Sequence, residues 1–260
     1  MSGTLGNQQS DATLVTAAVA GDRHAFAGIY DRYADRMHDF CWSMLRSRDD
    51  AADAMQDTFV IAAGRLHQLR DPDKLRPWLY AVARSVALRR LRHRRREQAD
   101  AELDDVADTT DGPHEVAHRA ELRALVWEAG RGLSDRDRMV MDLHLRQGLD
   151  GSELAQAMGV SENNAYVMVH RVRDRMERSL GAFLVARLGA DHCEDLQALL
   201  RNWDGRFSPL VRKRVARHVD ACAACDERRR AVASPWALLG TIPMLPAPLE
   251  LRERVLGAAS

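Results

Sequence analysis

Apolar side chains recur at spacings of three and four along most of the chain, which is the signature of helices with one buried face. Phe26, Ile29, Tyr30, Tyr33 and Met37 mark such a stripe in a stretch that reads as helical from Ala12 to about Leu45. A boundary falls at Arg48 to Ala51. A second long helix, Ala52 to Leu69, turns Met55, Phe59, Ala62, Ala63 and Leu66 inward and presents Asp50, Asp53, Gln56 and Asp57 on its outer face. Arg70-Asp71-Pro72-Asp73 reads as a turn, because proline disfavours helix in the residue before it. Pro77 suits the start of a third helix, expected from Trp78 to about Arg95. Leu79, Val82, Ala83, Val86 and Leu91 would pack there, leaving Arg84, Arg89, Arg92, Arg94, Arg95 and Arg96 exposed.

Residues 97–118 break the pattern. They are acidic, contain Gly112-Pro113 and have few large apolar side chains, which is linker composition. Helical periodicity resumes over Glu121 to Gly132 and Asp135 to Gln147, with Leu122, Leu125, Val126, Leu133, Val140, Leu143 and Leu145 as candidate core. Two more helices follow. Ser152 is a candidate cap for one starting at Glu153, with Leu154, Ala155 and Met158 apolar and Gly159 at its C-terminal end. Ser161 caps the next, with Ala165, Val169, Val172 and Met176 inward. Ser208-Pro209 starts a helix well in the last third of the chain, and Leu249 to Leu256 reads as a short final helix. Met1 to Asp11 is polar and expected to be disordered. The expected organisation is all-α: helical domains at 12–96 and 119–182, the second a four-helix domain, a linker at 97–118 and a small helical extension at 191–260.

Composition narrows the class. Hydrophobic residues at 46% and charged residues at 29% suit a soluble globular protein, and 5% aromatics with 16 glycines argue against an all-β fold. No apolar run reaches the roughly 18 residues of a membrane helix, and no basic-then-apolar leader opens the chain; we expect a cytoplasmic protein without a membrane partner. The formal net charge of +0 hides segregation. Arg84 to Arg96 (RSVALRRLRHRRR) is strongly basic, while Glu97 to Glu115 has acidic residues and no Lys or Arg, so phosphate is attracted locally.

Two stretches have nucleic-acid chemistry. Leu149 to Met176 reads as a helix-turn-helix, whose second helix carries Asn163, Asn164, Tyr166, His170, Arg171 and Arg173 on the face away from its apolar stripe. Polar side chains at the start of such a helix suit the DNA major groove; the alternative is a helical hairpin with a solvated face. Trp78 to Arg96 combines arginines, which attract phosphate without regard to sequence, with Trp78 and Tyr80, which could stack unpaired bases. The alternative is a solvated basic helix with Trp78 in the core.

Four cysteines without an export signal point to metal or redox use. His218 and Cys222 fall four residues apart on one helical face, Cys225 follows, and Cys193 is the natural fourth ligand for tetrahedral zinc, with His192 as substitute. The alternative is buried free thiols beside a surface histidine. A full set of four ligands leaves no open position, and H-E-x-x-H is absent, so an enzyme is not expected.

Residues from about Ala25 to Leu180 resemble the extracytoplasmic-function (ECF) class of RNA polymerase sigma factors. Asp50 to Phe59 (DAADAMQDTF) is similar to the family's acidic helix that grips the polymerase, which implies polymerase contacts at Asp50, Asp53, Gln56 and Asp57. Arg76 to Arg84 (RPWLYAVAR) is similar to the segment that melts promoter DNA and reads the −10 element, which implies Trp78, Tyr80, Arg84, Ser85, Arg89 and Arg92 as DNA contacts. Ser161 to Arg173 is similar to the −35 recognition helix. Ser85 stands where the family commonly has Asn, and Tyr166 and Met168 stand where it usually has Lys and Arg. Val167 and Met168 could touch thymine methyls and Asn163 or Asn164 could pair with adenine, each such contact giving about 1–3 kcal/mol of discrimination.

The last third resembles a zinc-binding anti-sigma domain. The resemblances imply a sigma factor that binds core RNA polymerase and promoter DNA, is not an enzyme, and carries a regulatory extension holding zinc on Cys193, His218, Cys222 and Cys225. Restraint by that extension, or by a separate anti-sigma factor, is implied. A stand-alone helix-turn-helix regulator and a zinc- or redox-sensing interaction module are the competing readings.

Overall fold

The computed structural model describes residues 9–100, 133–188, 192–205, 207–231 and 244–258. Every regular element among them is helical, as expected of an all-α chain. The predicted helix over 121–132 and the linker beyond residue 100 lie outside the described residues. The contacts divide the chain into two compact units.

The first unit draws on residues 9–100, 149–165 and 244–258. The stretch read as one helix from Ala12 to Leu45 is two, α1 (Asp11–Val19) and α2 (Arg23–Leu45). Gly21 breaks them, with a φ of 97° that favours glycine, and Asp22 then caps α2 by accepting the His24 N–H at 2.8 Å. Asp11 is ordered, bonded by the Arg32 guanidinium and the Tyr33 hydroxyl. Ser47 caps α3 (Arg48–Arg65), which starts four residues earlier than expected and ends in a 3-10 turn, Leu66–Gln68. Asp49 and Asp50 lie in its first turn, where they complement the helix dipole.

Helix α4 (Leu75–Asp100) begins before Trp78 and runs into the stretch read as linker. Pro77 thus falls within its first turn, where a missing N–H costs nothing. The core joins Ile29, Met37, Phe40, Met55, Phe59, Leu79 and Tyr80, each at most 1% exposed. Phe59 lies 4.8 Å from Tyr30, and Tyr80 meets Phe40 edge-on at 5.8 Å.

Helix α6 (Gly151–Met158; α5 is given below) packs on α4 within this unit. Its cap is Asp150 rather than Ser152: Asp150 accepts the Glu153 N–H at 2.8 Å and the Glu153 carboxylate accepts the Asp150 N–H, a reciprocal box that Ser152 is two residues too late to make. Arg76 donates to Glu153 at 2.9 Å. Gly159 ends α6 at φ 66°. A Cβ there would lie 3.6 Å from the Arg84 guanidinium, an ordinary contact, so the backbone and not space requires glycine.

The chain's end returns to this unit. Met244 to Pro248 run without regular structure along α2, followed by α11 (Glu250–Ala258), with Leu251 and Val255 buried. Leu245 donates its N–H to Asp39 at 2.8 Å, and Ala247 donates to Asp35 at 2.9 Å.

The second unit draws on residues 133–148, 166–188, 192–205 and 207–231. Ser134 caps α5 (Asp135–Met141), which loosens into a π-helical turn, Asp142–Arg146. Gln147 closes that turn by donating its N–H to the Asp142 carbonyl at 3.0 Å and its side-chain amide to the Asp142 carboxylate at 3.2 Å. Helix α7 (Glu162–Leu188) enters from the first unit and continues well past Met176. Its distal half buries Leu180, Phe183, Val185 and Ala186, and Phe207 packs edge-on against Phe183 at 5.1 Å. The distal half and the extension therefore share one core. The extension adds α8 (Glu194–Leu200), α9 (Pro209–Ala221), capped by Ser208 as expected, and α10 (Ala223–Ala231).

Burial holds the His38 imidazole below its ordinary value of 6.5, against the opposing pull of the Leu245 carbonyl, Asp39 and Asp35. The folded state therefore favours the neutral ring, and the unfolded chain takes up the proton first as pH falls through 6.5. We expect the stability of the first unit to drop just below that pH, and His38→Gln to flatten this limb, as read by urea unfolding at stepped pH.

Candidate nucleic-acid interface and metal centre

On α3, Asp53 is exposed and Asp50, Gln56 and Asp57 are partly so. Three α4 arginines reach back to this face. Arg94 pairs with Asp50, Arg90 donates to Asp57 at 2.9 Å and lies 3.8 Å from Asp53, and Arg89 stands 3.4 Å from Asp57. The basic run expected to be exposed for phosphate is thus partly spent on carboxylates of its own unit. These pairs are partly exposed, so each contributes little to stability.

Of the candidate base contacts on α4, Ser85, Arg89 and Arg92 are exposed and Trp78 and Arg84 half-buried. Tyr80 is a correction. It is 0% exposed and pressed against Phe40, so it offers no ring face to a base and serves as core. The spacing could have shown this, because Tyr80 lies three residues before Ala83 and six before Val86, on the packed side.

In the first unit, Ser161, Asn163 and Asn164 are exposed at the start of α7, and the Ser161 hydroxyl accepts the Asn164 N–H at 3.3 Å as the predicted cap. In the second unit, Tyr166 at 63% and Val167 at 43% exposure stand out among the large apolar side chains. His170 packs its ring on Tyr166 at 4.4 Å, and Arg171 and Arg173 are exposed, with Arg173 donating to Glu177 at 2.9 Å. Met168 is half-buried against Arg136, whose guanidinium lies 3.7 Å from its sulfur, so it is less available to a thymine methyl than Val167.

The second unit also gathers four donors from three elements. Cys193 precedes α8, His218 lies in the last turn of α9, Cys222 caps that helix with its N–H on the His218 carbonyl at 2.9 Å, and Cys225 lies in the first turn of α10. Their ligand atoms all lie within 4.8 Å of one another. His218 Nε2 is 3.3 Å from both Cys193 Sγ and Cys225 Sγ. A tetrahedral site with metal–sulfur bonds of about 2.3 Å and metal–nitrogen bonds of about 2.0 Å needs donor separations of roughly 3.5–3.8 Å, so the set needs only small shifts to close on an ion. Exposed His192 is not among the four. The Cys225 and Cys193 groups hold the Cys222 thiol below its ordinary range, the Cys225 backbone contributing most. Burial, with the crowded neighbouring sulfurs, pushes Cys225 up to about 12. Crowded thiolates are a chemistry that a cation relieves.

Residues 29–97 match the model of sigma-70 region 2, and residues 123–176 match that of sigma-70 region 4. The chain is 30% identical over 175 residues to the ECF RNA polymerase sigma factor SigM of Mycobacterium tuberculosis, covering 67% of this chain and 87% of that protein. The chain belongs to the ECF RNA polymerase sigma factors. It is also 26% identical over 170 residues to the sigma factor SigW of Bacillus subtilis, covering 62% of this chain and 91% of that one. Sigma factors start transcription and are not enzymes. In this sigma factor α3 and most of α4 fall in the region 2 match and the first half of α7 in the region 4 match, whereas the four-donor cluster and α11 lie beyond both. No described helix is long and apolar enough to cross a membrane.

Burial orders the thiols. In metal-free protein, half-buried Cys193 and Cys222 should react with a maleimide faster than buried Cys41 and Cys225, as measured by time-resolved peptide mass spectrometry. Equal rates at all four would contradict the described packing.

Proposed function

We propose that this sigma factor directs core RNA polymerase to one class of promoters and that its extension regulates it through a structural zinc ion. The acidic outer face of α3, with Asp50, Asp53, Gln56 and Asp57, grips the polymerase. The exposed side of α4, with Trp78, Arg84, Ser85, Arg89 and Arg92, holds the opened strand at the −10 element. The first three turns of α7 enter the major groove at the −35 element, where Asn163, Asn164 and Val167 read base edges and Arg171 and Arg173 attract phosphate. The matches to region 2 and region 4, in that order along one chain, carry this reading.

Zinc is favoured over other ions by the donor set. Three thiolates and an imidazole suit a borderline-soft tetrahedral ion, and a closed set of four marks a structural rather than a catalytic site. The ion would tie the start of α8 to the junction of α9 and α10. That junction belongs to the unit in which Phe207 packs on the distal half of α7, so metal occupancy has a route to the −35 helix. The shared core also makes truncation after Ala190 a poor test, since it strips Phe207 from Phe183.

Point substitutions are cleaner. The purified protein should carry one zinc per chain by elemental analysis, and Cys225→Ser should lose it and change promoter output. Asp53→Ala with Gln56→Ala should weaken polymerase binding while sparing fold. Arg171→Ala and Arg173→Ala should each weaken binding of the polymerase complex to all promoters alike and lower the salt slope by about 1. Binding of isolated promoter DNA at full strength without polymerase would overturn the reading in favour of a stand-alone regulator.

A further inference from the structure

We infer that the C-terminal strap, Met244 to Ala258, is a built-in competitor for the polymerase-binding face of region 2 and must leave that face when polymerase binds. The inference rests on α3 being the polymerase grip.

The strap is fitted to α2 in detail. Asp31, Asp35 and Asp39 recur every fourth residue and so form one acidic ridge along α2. Pro246 and Pro248 have no N–H to offer. The amides before and between them, Leu245 and Ala247, both find a carboxylate, on Asp39 at 2.8 Å and Asp35 at 2.9 Å. The third aspartate takes a fork: Arg252 donates Nε and Nη2 to the two oxygens of Asp31 at 2.7 and 2.9 Å. Ring and carbonyl close the same end, with His38 Nδ1 3.4 Å from the Leu245 oxygen. At that end Asp39 is 0% and His38 2% exposed, and both meet Leu245 of the strap.

Helix α11 then crosses to α3. Leu251 and Val255, four residues apart, are 2% and 0% exposed. Arg254 brings its guanidinium to 3.9 Å from Asp53, the most exposed carboxylate of the α3 face. A polymerase surface that grips an acidic helix must itself present cations there, so Arg254 stands where a partner's cation would stand. Strap and polymerase thus compete by charge at Asp53 and by volume along α3.

The test uses full-length protein and two readouts: equilibrium binding to core RNA polymerase, and hydrogen exchange at the Leu245 and Ala247 amides. Val255→Asp puts a charge at a fully buried contact and should expose both amides while tightening polymerase binding on the order of tenfold. Arg252→Asp should do the same by a smaller factor. Arg252→Asp with Asp31→Arg rebuilds the pair with its signs exchanged and should return both readouts toward wild type. Retained exchange protection in α2 and α3 reports an intact unit; if Val255→Asp loses it, the Arg252 pair carries the test. Freed amides with unchanged affinity would overturn the competition. Amides that exchange as fast in wild type as in the variants would overturn the docking. Failure of every form to bind polymerase, with the amides protected in wild type, would instead remove the reading of α3 on which the competition depends.

Discussion

A carboxylate sealed from water must be hydrogen-bonded, and Asp39 is such a carboxylate. It sits in the middle of α2 with no exposed surface and accepts the backbone N–H of Leu245, a residue 206 positions away. Much of the first unit is arranged around that need. The extended run beside it carries two prolines, so its few remaining amides fall where Asp35 and Asp39 can take them. The His38 imidazole's own burial lowers its proton affinity against the pull of the Leu245 carbonyl and Asp39, and the burial of Tyr30 beside Asp31 pushes that phenol up to about 12. The C-terminus is thereby part of the domain that opens the chain.

Charge in this protein is balanced by proximity more than by total. Guanidinium groups of α4 sit on the carboxylates of α3, Arg252 and Arg254 on those of α2 and α3, and Arg76 on Glu153 of α6. Each of these pairs is partly exposed and worth little to stability alone. Their effect is on availability. The acidic face of α3 and the basic face of α4 are thus both engaged by groups of the same unit, so the polymerase and DNA proposed to bind there would have to displace them.

The helical architecture was legible because its signals are local. The stripe of Phe26, Ile29, Tyr30, Tyr33 and Met37, the Ser161 and Ser208 caps and the left-handed Gly159 all lie where periodicity and capping chemistry put them. The cysteine and histidine spacing likewise anticipated the grouping of Cys193, His218, Cys222 and Cys225, a group that does not include His192. What escaped was long-range or finely local. Gly21 breaks a stretch whose apolar spacing runs on across it, Asp150 caps where Ser152 is equally able by residue type, and Tyr80 faces the core although an aromatic beside a basic run suggests a stacking surface and only its spacing to Ala83 and Val86 shows otherwise. The ridge of Asp31, Asp35 and Asp39 gave no reading at all, since three solvated acids on a helix look the same as three acceptors awaiting a strap.

Promoter-specific initiation is the activity that defines a sigma factor. Run-off transcription with core RNA polymerase over a library of randomised promoters should yield transcripts only when this protein is added, and the enriched templates should share a −35 and a −10 element at fixed separation. Transcripts that start at the same templates with and without the protein, or enriched templates with no common −10 element, would contradict it.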